Sequence, residues 1–421
     1  MNKKTNRCLT LMLFSASQLL GQLSAAEEVV RNDTVADRTR PELDALGVRL
    51  GAFTLFPEVV GGITRDSNIY ADDVDSISDS ILQVSPGIAI NSDWGRHKLN
   101  LGVDADIFRY SDYDTEDHVD YSVWGEGRLD VSQARFFIGA ISHARLHEDR
   151  DSPDDARGFE PTKFYRNTAS ISYETPRAPR QLHTSLTGEY RKLEFEDSLA
   201  ANGLVNNDDR DRQRLSGTAR FGYGLDSEYS LFLQGSAHSV EYDDQFDDGG
   251  FERSSTGYEF ALGTTFDFSG KTFGDVFVGY LSETYDDPRF DKIDGLSFGA
   301  KVFWNISGLT TLNFSARREV EPTTIGETGG TNVKRFGVGV DHELLRNLIL
   351  SLALNTTQVE FKGIERQDDI RSANFSARYI MNRRLELTLG YSYRQRDSEP
   401  TPNSGIEFSR NLVRLTIEGH L

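Results

Sequence analysis

Ten arginines set the chemistry that this chain offers: Arg166, Arg191, Arg214, Arg220, Arg317, Arg335, Arg371, Arg378, Arg394 and Arg414. Most stand among hydroxyl, amide or acidic residues that recur at every second position, as in Arg214, Ser216, Thr218, Arg220 or Ser372, Asn374, Ser376, Arg378. Guanidinium groups grip carboxylates and phosphates in forked pairs and stack on sugar or aromatic faces. Such a ladder holds or passes an anionic solute or polymer. The competing expectation is structural, because Asp104, Asp106, Glu189, Asp341 and Glu386 share the same faces and would stiffen the wall as ion pairs.

The elements that position these residues are two-faced. In Leu385–Tyr393, Leu385, Leu387, Leu389, Tyr391 and Tyr393 point one way, and Glu386, Thr388, Gly390 and Ser392 the other. Period two is the signature of a β-strand. The pattern predicts strands near 58–66, 81–92, 98–110, 120–131, 135–147, 163–174, 181–195, 212–224 and 229–242. It continues near 255–268, 275–285, 296–306, 311–320, 333–343, 347–360, 371–381, 385–396 and 406–418, about eighteen in all.

The opposite faces run apolar for four or five positions, for example Leu348, Leu350, Leu352, Leu354 and Val413, Leu415, Ile417. That length suits a tilted strand of ~9–11 residues crossing a bilayer. The connections alternate between tight turns, such as Asn382-Arg383-Arg384, and long acidic loops: Glu148–Gly158, Asn206–Asp211, Asp243–Gly250, Asp286–Asp291 and Arg366–Asp369 among them. Strict alternation marks an up-and-down transmembrane barrel with short periplasmic turns and long outer loops. A soluble sandwich has crossovers and no such sidedness. So many charges cannot line a dry interior, whereas a barrel of this size encloses water.

Composition agrees. The chain has 421 residues, a formal net charge of −20, 37% apolar residues, 37 glycines and 45 aromatics (26 Phe, 16 Tyr, 3 Trp). The acidic balance argues against a nucleic-acid partner, which selects basic surfaces. Residues 1–26 read as a secretory signal: Lys3, Lys4 and Arg7, then the apolar Leu9–Leu20, then Ser24-Ala25-Ala26. The sole cysteine, Cys8, lies inside it, so no disulfide is expected. Beyond it no run of ~18 apolar residues occurs, which excludes a helical span and leaves a closed barrel as the route into a membrane. Residues 27–50 read as a flexible periplasmic lead-in, and 51–421 as one barrel domain.

Other chemistries find less support. The paired aspartates Asp154-Asp155, Asp208-Asp209, Asp243-Asp244 and Asp247-Asp248 offer oxygen ligands, but without EF-hand spacing. They read as solvated loops bridged by divalent ions to lipopolysaccharide. The eight histidines are scattered, with no His-Glu-x-x-His and no Gly-x-Ser-x-Gly. No enzyme, cofactor or resident metal is expected.

Several stretches carry a family resemblance: Arg40–Arg49 leading into Phe53-Thr54-Leu55-Phe56-Pro57, Ser92–His97, Leu146–Arg150, Tyr285–Phe290 and Asp341–Asn347. They resemble the outer-membrane family called β-barrel porin 2, and the likeness runs from Pro41 onward. It implies an integral outer-membrane barrel without catalytic residues, linked to exopolysaccharide export loci. The functional expectation is a pore through which a secreted exopolysaccharide crosses the outer membrane, driven by a periplasmic or inner-membrane partner. The alternatives are a diffusion porin for sugars or anions and a non-conducting structural or adhesive barrel. The chain departs from many barrels in ending Gly419-His420-Leu421 rather than on an aromatic.

Overall fold

The computed structural model describes residues 33–132, 134–201, 203–399 and 405–421. The expected signal segment, Cys8 and the start of the lead-in lie outside the described residues. Twenty-one strands occur among those described. They are β1 (Val48–Leu50), β2 (Phe53–Asp66), β3 (Asp79–Ser92), β4 (Lys98–Tyr110), β5 (His118–Ser132), β6 (Arg135–His147) and β7 (Lys163–Glu174). Then come β8 (Leu182–Phe195), β9 (Ser198–Ala200), β10 (Gly203–Val205), β11 (Arg212–Gly224), β12 (Tyr229–Tyr242), β13 (Ser255–Phe268) and β14 (Thr272–Tyr285). The last are β15 (Ile293–Ser307), β16 (Thr310–Pro322), β17 (Gly330–Leu345), β18 (Leu348–Phe361), β19 (Arg366–Asn382), β20 (Leu385–Ser398) and β21 (Phe408–His420).

Setting aside the three-residue β1, β9 and β10, eighteen strands form the wall. Each pairs antiparallel with its neighbours in sequence, β8 joins β11 across the small β9–β10 hairpin, and β2 pairs with β21 to close the cylinder. Closure leaves no open edge, as hydrocarbon requires of backbone N–H and C=O groups.

The period-two pattern decides what the two faces meet. Leu352, Leu354, Leu389, Tyr391, Val413, Leu415 and Ile417 are all exposed on the outside, Val413 at 49%. Among the described residues no shared apolar interior stands behind them, and three small clusters of buried apolar residues occur instead. Tyr285, Phe290 and Ile293 form one at the long-loop end, and Val333, Val359 and Phe361 another. Val35, Ile349 and Ile380 form the third, at the short-turn end.

Lumen aromatics lie against the wall rather than across it. Trp124, His183, Phe232, His238 and Phe277 each stand directly opposite a glycine on the next strand: Gly102, Gly222, Gly263, Gly257 and Gly299. A Cβ at any of these glycines would collide with the ring. The missing side chain lets the ring fold flat over its neighbour and shield that backbone, which keeps the bore open.

Two expectations give way. The lead-in is packed where it is described: Val35 is fully buried, its N–H donates to Thr311 Oγ1 at 2.9 Å, and Arg40 Nη2 donates to Glu343 Oε2 at 2.9 Å. A short apolar anchor and a buried ion pair thus seat the segment against the inner face of β16–β19. Arg366–Asp369, expected as loop, opens β19, where Val359 pairs with Asp368. Its charges are met in the strand by the Arg366–Asp368 ion pair at 2.6 Å and by Ser398 Oγ donating to Asp368 Oδ1 at 2.6 Å.

Candidate functional site: an arginine-lined bore crossed by a loop

Strand parity places the predicted arginines. On β8, Leu186 and Tyr190 face outward, so Arg191 faces the lumen. The same alternation turns Arg166, Arg214, Arg220, Arg317, Arg335, Arg378, Arg394 and Arg414 inward. Arg371 is the exception. It shares its face with Phe375 and Tyr379, its side chain is 61% exposed, and it pairs with Asp397 at 3.3 Å on the outside of the barrel. Arg378, seven residues on, is inward because seven is odd; the two residues could never share a face.

Wall stiffening accounts for much of the ladder. Arg191 pairs with Glu189 (2.6 Å), Arg220 with Asp275 (2.8 Å), Arg317 with Glu259 (3.3 Å) and Arg378 with Glu386 (3.9 Å). Arg335 pairs with Glu319 and, at 2.7 Å, with Glu321. Arg414 Nε donates to Thr64 Oγ1 at 3.0 Å. These carboxylates sit on the arginine's own or a nearby strand, so each pair ties the wall locally.

One segment of wall is different. Arg191 and Arg214 are direct cross-strand partners, and Arg166 lies one diagonal step away on β7, where Thr168 is the partner of Arg191. Glu189 neutralises Arg191, while no carboxylate among the described residues lies within 4.0 Å of Arg214. Arg166, Arg191 and Arg214 thus bring three guanidiniums together on one stretch of wall in the outer half of the bore.

The loop between β6 and β7, Glu148–Thr162, folds inward. Its root is tied to the near wall: Arg210 Nη1 and Nη2 donate to Glu148 at 2.9 and 2.6 Å. Arg150 grips Glu116 with two hydrogen bonds of 3.0 and 2.6 Å. Its middle reaches far strands. Asp151 Oδ2 is 3.1 Å from Arg394 Nε, and its carbonyl accepts from Arg396 Nη1 at 3.0 Å. Asp154 Oδ1 accepts from Thr323 Oγ1 at 2.7 Å, in the loop between β16 and β17. Around the wall, β7 is seven pairings from β16, and β6 is nine pairings from β17 the other way. The loop thus spans the lumen.

Its ties are polar and several are buried, with Arg150, Glu116, Arg210 and Glu148 all less than a tenth exposed. Removing one member of a buried pair strands a charge, so such pairs fix position strongly. Asp155 is held less well. Burial raises its pKa to about 6 against the pull of Arg150 and Arg157, each 3.6 Å away, and neither carboxylate oxygen has a hydrogen-bond partner. Burial and the neighbouring Asp151 carboxylate likewise push Asp149 upward.

The sequence reading missed Arg150, Arg210 and Arg396, all buried in these ties, and Arg410, buried in the wall. Parity alone could have found two: Arg396 shares the face of Arg394, and Arg410 that of Arg414. Arg410 Nε donates to the fully buried Asp66 at 2.9 Å. The paired loop aspartates are largely spoken for within the chain: Asp247 by Arg253 at 2.6 Å, Asp243 by Lys192 at 3.4 Å, Asp154 by Thr323.

Comparison with known proteins adds context. Curated protein sequences give no match. Among solved structures, OpdL of Pseudomonas aeruginosa is similar at 11% identity over 88% of this chain and 99% of its own, with a TM-score of 0.46. OccAB3 of Acinetobacter baumannii matches at 9% identity over 88% and 100%, TM-score 0.47. The ferric enterobactin receptor PfeA of Pseudomonas aeruginosa matches at 7% over 87% and 80%, TM-score 0.45. The family model described as "Putative beta-barrel porin 2" matches residues 40–420. With that match over nearly the whole described wall, the chain belongs to this porin family and is an integral β-barrel of the outer membrane.

Proposed function

We propose that the barrel is a passive outer-membrane pore for acidic saccharides. The observation that carries this reading is the patch Arg166, Arg191, Arg214 on the wall of a bore that an inward-folded loop crosses. Arginines beside flat aromatic rings suit a solute bearing both carboxylates and sugar faces. Arg220 already lies over the Phe232 ring at 4.0 Å, which shows the geometry in use within the wall. Narrowing brings a passing solute within reach of these groups, so the patch sorts as well as admits.

Planar-bilayer recording tests it. A short oligogalacturonate should block the wild-type current at lower concentration than a neutral malto-oligosaccharide of the same length. Arg191→Gln and Arg214→Gln should remove the difference. Equal block by the two sugars, or block unchanged in both variants, defeats the reading.

Export of a secreted acidic exopolysaccharide is the second reading. Rows of hydroxyl and amide groups favour it: Thr311, Asn313 and Ser315 on β16, and Ser372, Asn374 and Ser376 on β19. Evenly spaced weak partners let a hydroxyl-rich chain slide without a deep trap. The loop at 148–162 would have to swing aside, and an inner-membrane or periplasmic partner would supply the drive. A deletion strain then loses surface polysaccharide while small-solute uptake is unchanged; normal secretion defeats this reading.

A further inference from the structure

At the long-loop end of the near wall, two histidines and an aspartate come together that nothing in a pore's transport role requires. His118 opens β5, Asp120 lies two residues on along the same inward face, and His147 closes β6. The two imidazoles stack with centroids 3.7 Å apart, and Phe108 packs against them at 4.7 and 6.4 Å. One potential ligand atom from each of the three residues lies within 4.8 Å of the others.

We propose that His118, Asp120 and His147 form a binding site for a borderline divalent cation of the zinc class, which fastens the root of the inward loop. Three features argue for a ligand set over a chance cluster. His118 Nδ1 lies 2.7 Å from the Glu116 carbonyl; donating there leaves the lone pair of Nε2 available to an ion. That carbonyl–imidazole relay is the usual outer support of a metal-bound histidine. Glu116 is itself held by the two hydrogen bonds from Arg150, so the supporting carbonyl is pinned. His147 Nδ1 lies 2.8 Å from Asp120 Oδ2, and its Nε2 lies 3.8 Å from Asp149 Oδ1, which puts a fourth oxygen beside the set.

The donor chemistry selects the ion. Two imidazole nitrogens and a carboxylate suit zinc, nickel or copper at ~2.0–2.2 Å, whereas calcium and magnesium take oxygen shells. Closing the 4.8 Å spread to such a shell needs small side-chain movements. Position gives the consequence: His147 directly precedes Glu148, the first residue of the loop. An ion there adds a metal clamp to the Glu148–Arg210 tie.

The test uses chelator-treated full-length barrel in detergent, titrated with zinc chloride by calorimetry at neutral pH. One zinc per chain should bind with micromolar or tighter affinity, with calcium and magnesium far weaker. His118→Gln and His147→Gln should each weaken zinc about tenfold or more. His143→Gln, outward-facing on the same strand as His147, should not change it. Heat-modifiable gel migration verifies that each variant is a closed barrel. A measurement on wild type stands apart from folding of the variants: zinc K-edge absorption at one equivalent should show two imidazoles in the shell. Wild-type binding no tighter than millimolar, binding insensitive to both histidine variants, or a shell without imidazole overturns the proposal.

Discussion

Arg191 and Arg214 face each other across the β8–β11 ladder as direct register partners, two like charges on one wall. Like charges directly opposite destabilise a sheet, and Glu189 offsets only one of them. Arg214→Gln is therefore expected to raise unfolding free energy by roughly 0.2–1 kcal/mol. The same change should weaken block by acidic sugars several-fold. Urea unfolding and bilayer recording on one preparation check the opposite signs.

The Glu148–Arg210 pair sets how firmly the loop is seated. Glu148→Gln removes the carboxylate charge that answers the buried Arg210 guanidinium and turns one of its two acceptor oxygens into an amide donor, and should loosen the packed loop by about 3–5 kcal/mol. Faster proteolytic cutting between 148 and 162 and a larger single-channel current should follow together. A variant that is cut no faster than wild type contradicts the seating described here.

Protonation should act on the same loop. The folded pKa of Asp155 stands at about 6, raised by burial above the ordinary value of 3.8, so the seated loop takes up a proton more readily than the released one. Its seating is then firmest below about pH 4 and weakens as pH rises through about 6. Burial shifts Asp149 in the same direction. Conductance should fall when the bath is taken from pH 7 to pH 5, and Asp155→Asn should show the low conductance already at pH 7.

Outer and inner faces should respond differently to charge. Leu352 faces outward within the apolar band, and Leu352→Arg should lower stability by ~2–4 kcal/mol. Arg371 lies on the same outer surface near the rim, and Arg371→Gln should change stability by less than ~1 kcal/mol and leave block by acidic sugars as in wild type. Refolding into vesicles from urea provides the comparison.

These predictions rest on two kinds of information in the chain. The wall was legible because each strand writes its own two faces locally: Leu389 out and Thr388 in follow from parity alone. Parity also carried the Arg371 error, since 371 and 378 differ by an odd number. The ties across the bore were not legible. Asp151 meets Arg396 across 245 residues, and no local pattern in a run of acidic loop residues says which arginine will answer it. The same holds for Val35, whose burial against Ile349 and Ile380 depends on where the barrel places its opening. His118 and His147 look scattered in sequence because their meeting depends on two strand ends lying side by side.

The junction of β2 with β21 holds a final consequence. It spans nine residue pairs, Glu58–His420 through Asp66–Leu412, whereas β2 and β3 share fourteen. Below it the two ends of the fold clasp, with Gly47 N–H donating to the Leu421 carbonyl and Leu421 N–H to that of Pro57. The first and last wall strands are thus obliged to find each other, and the ring stays open until β21 reaches β2. Until β21 pairs with β2 the early hairpins stay unsealed, so this short seam is the last part of the wall to form.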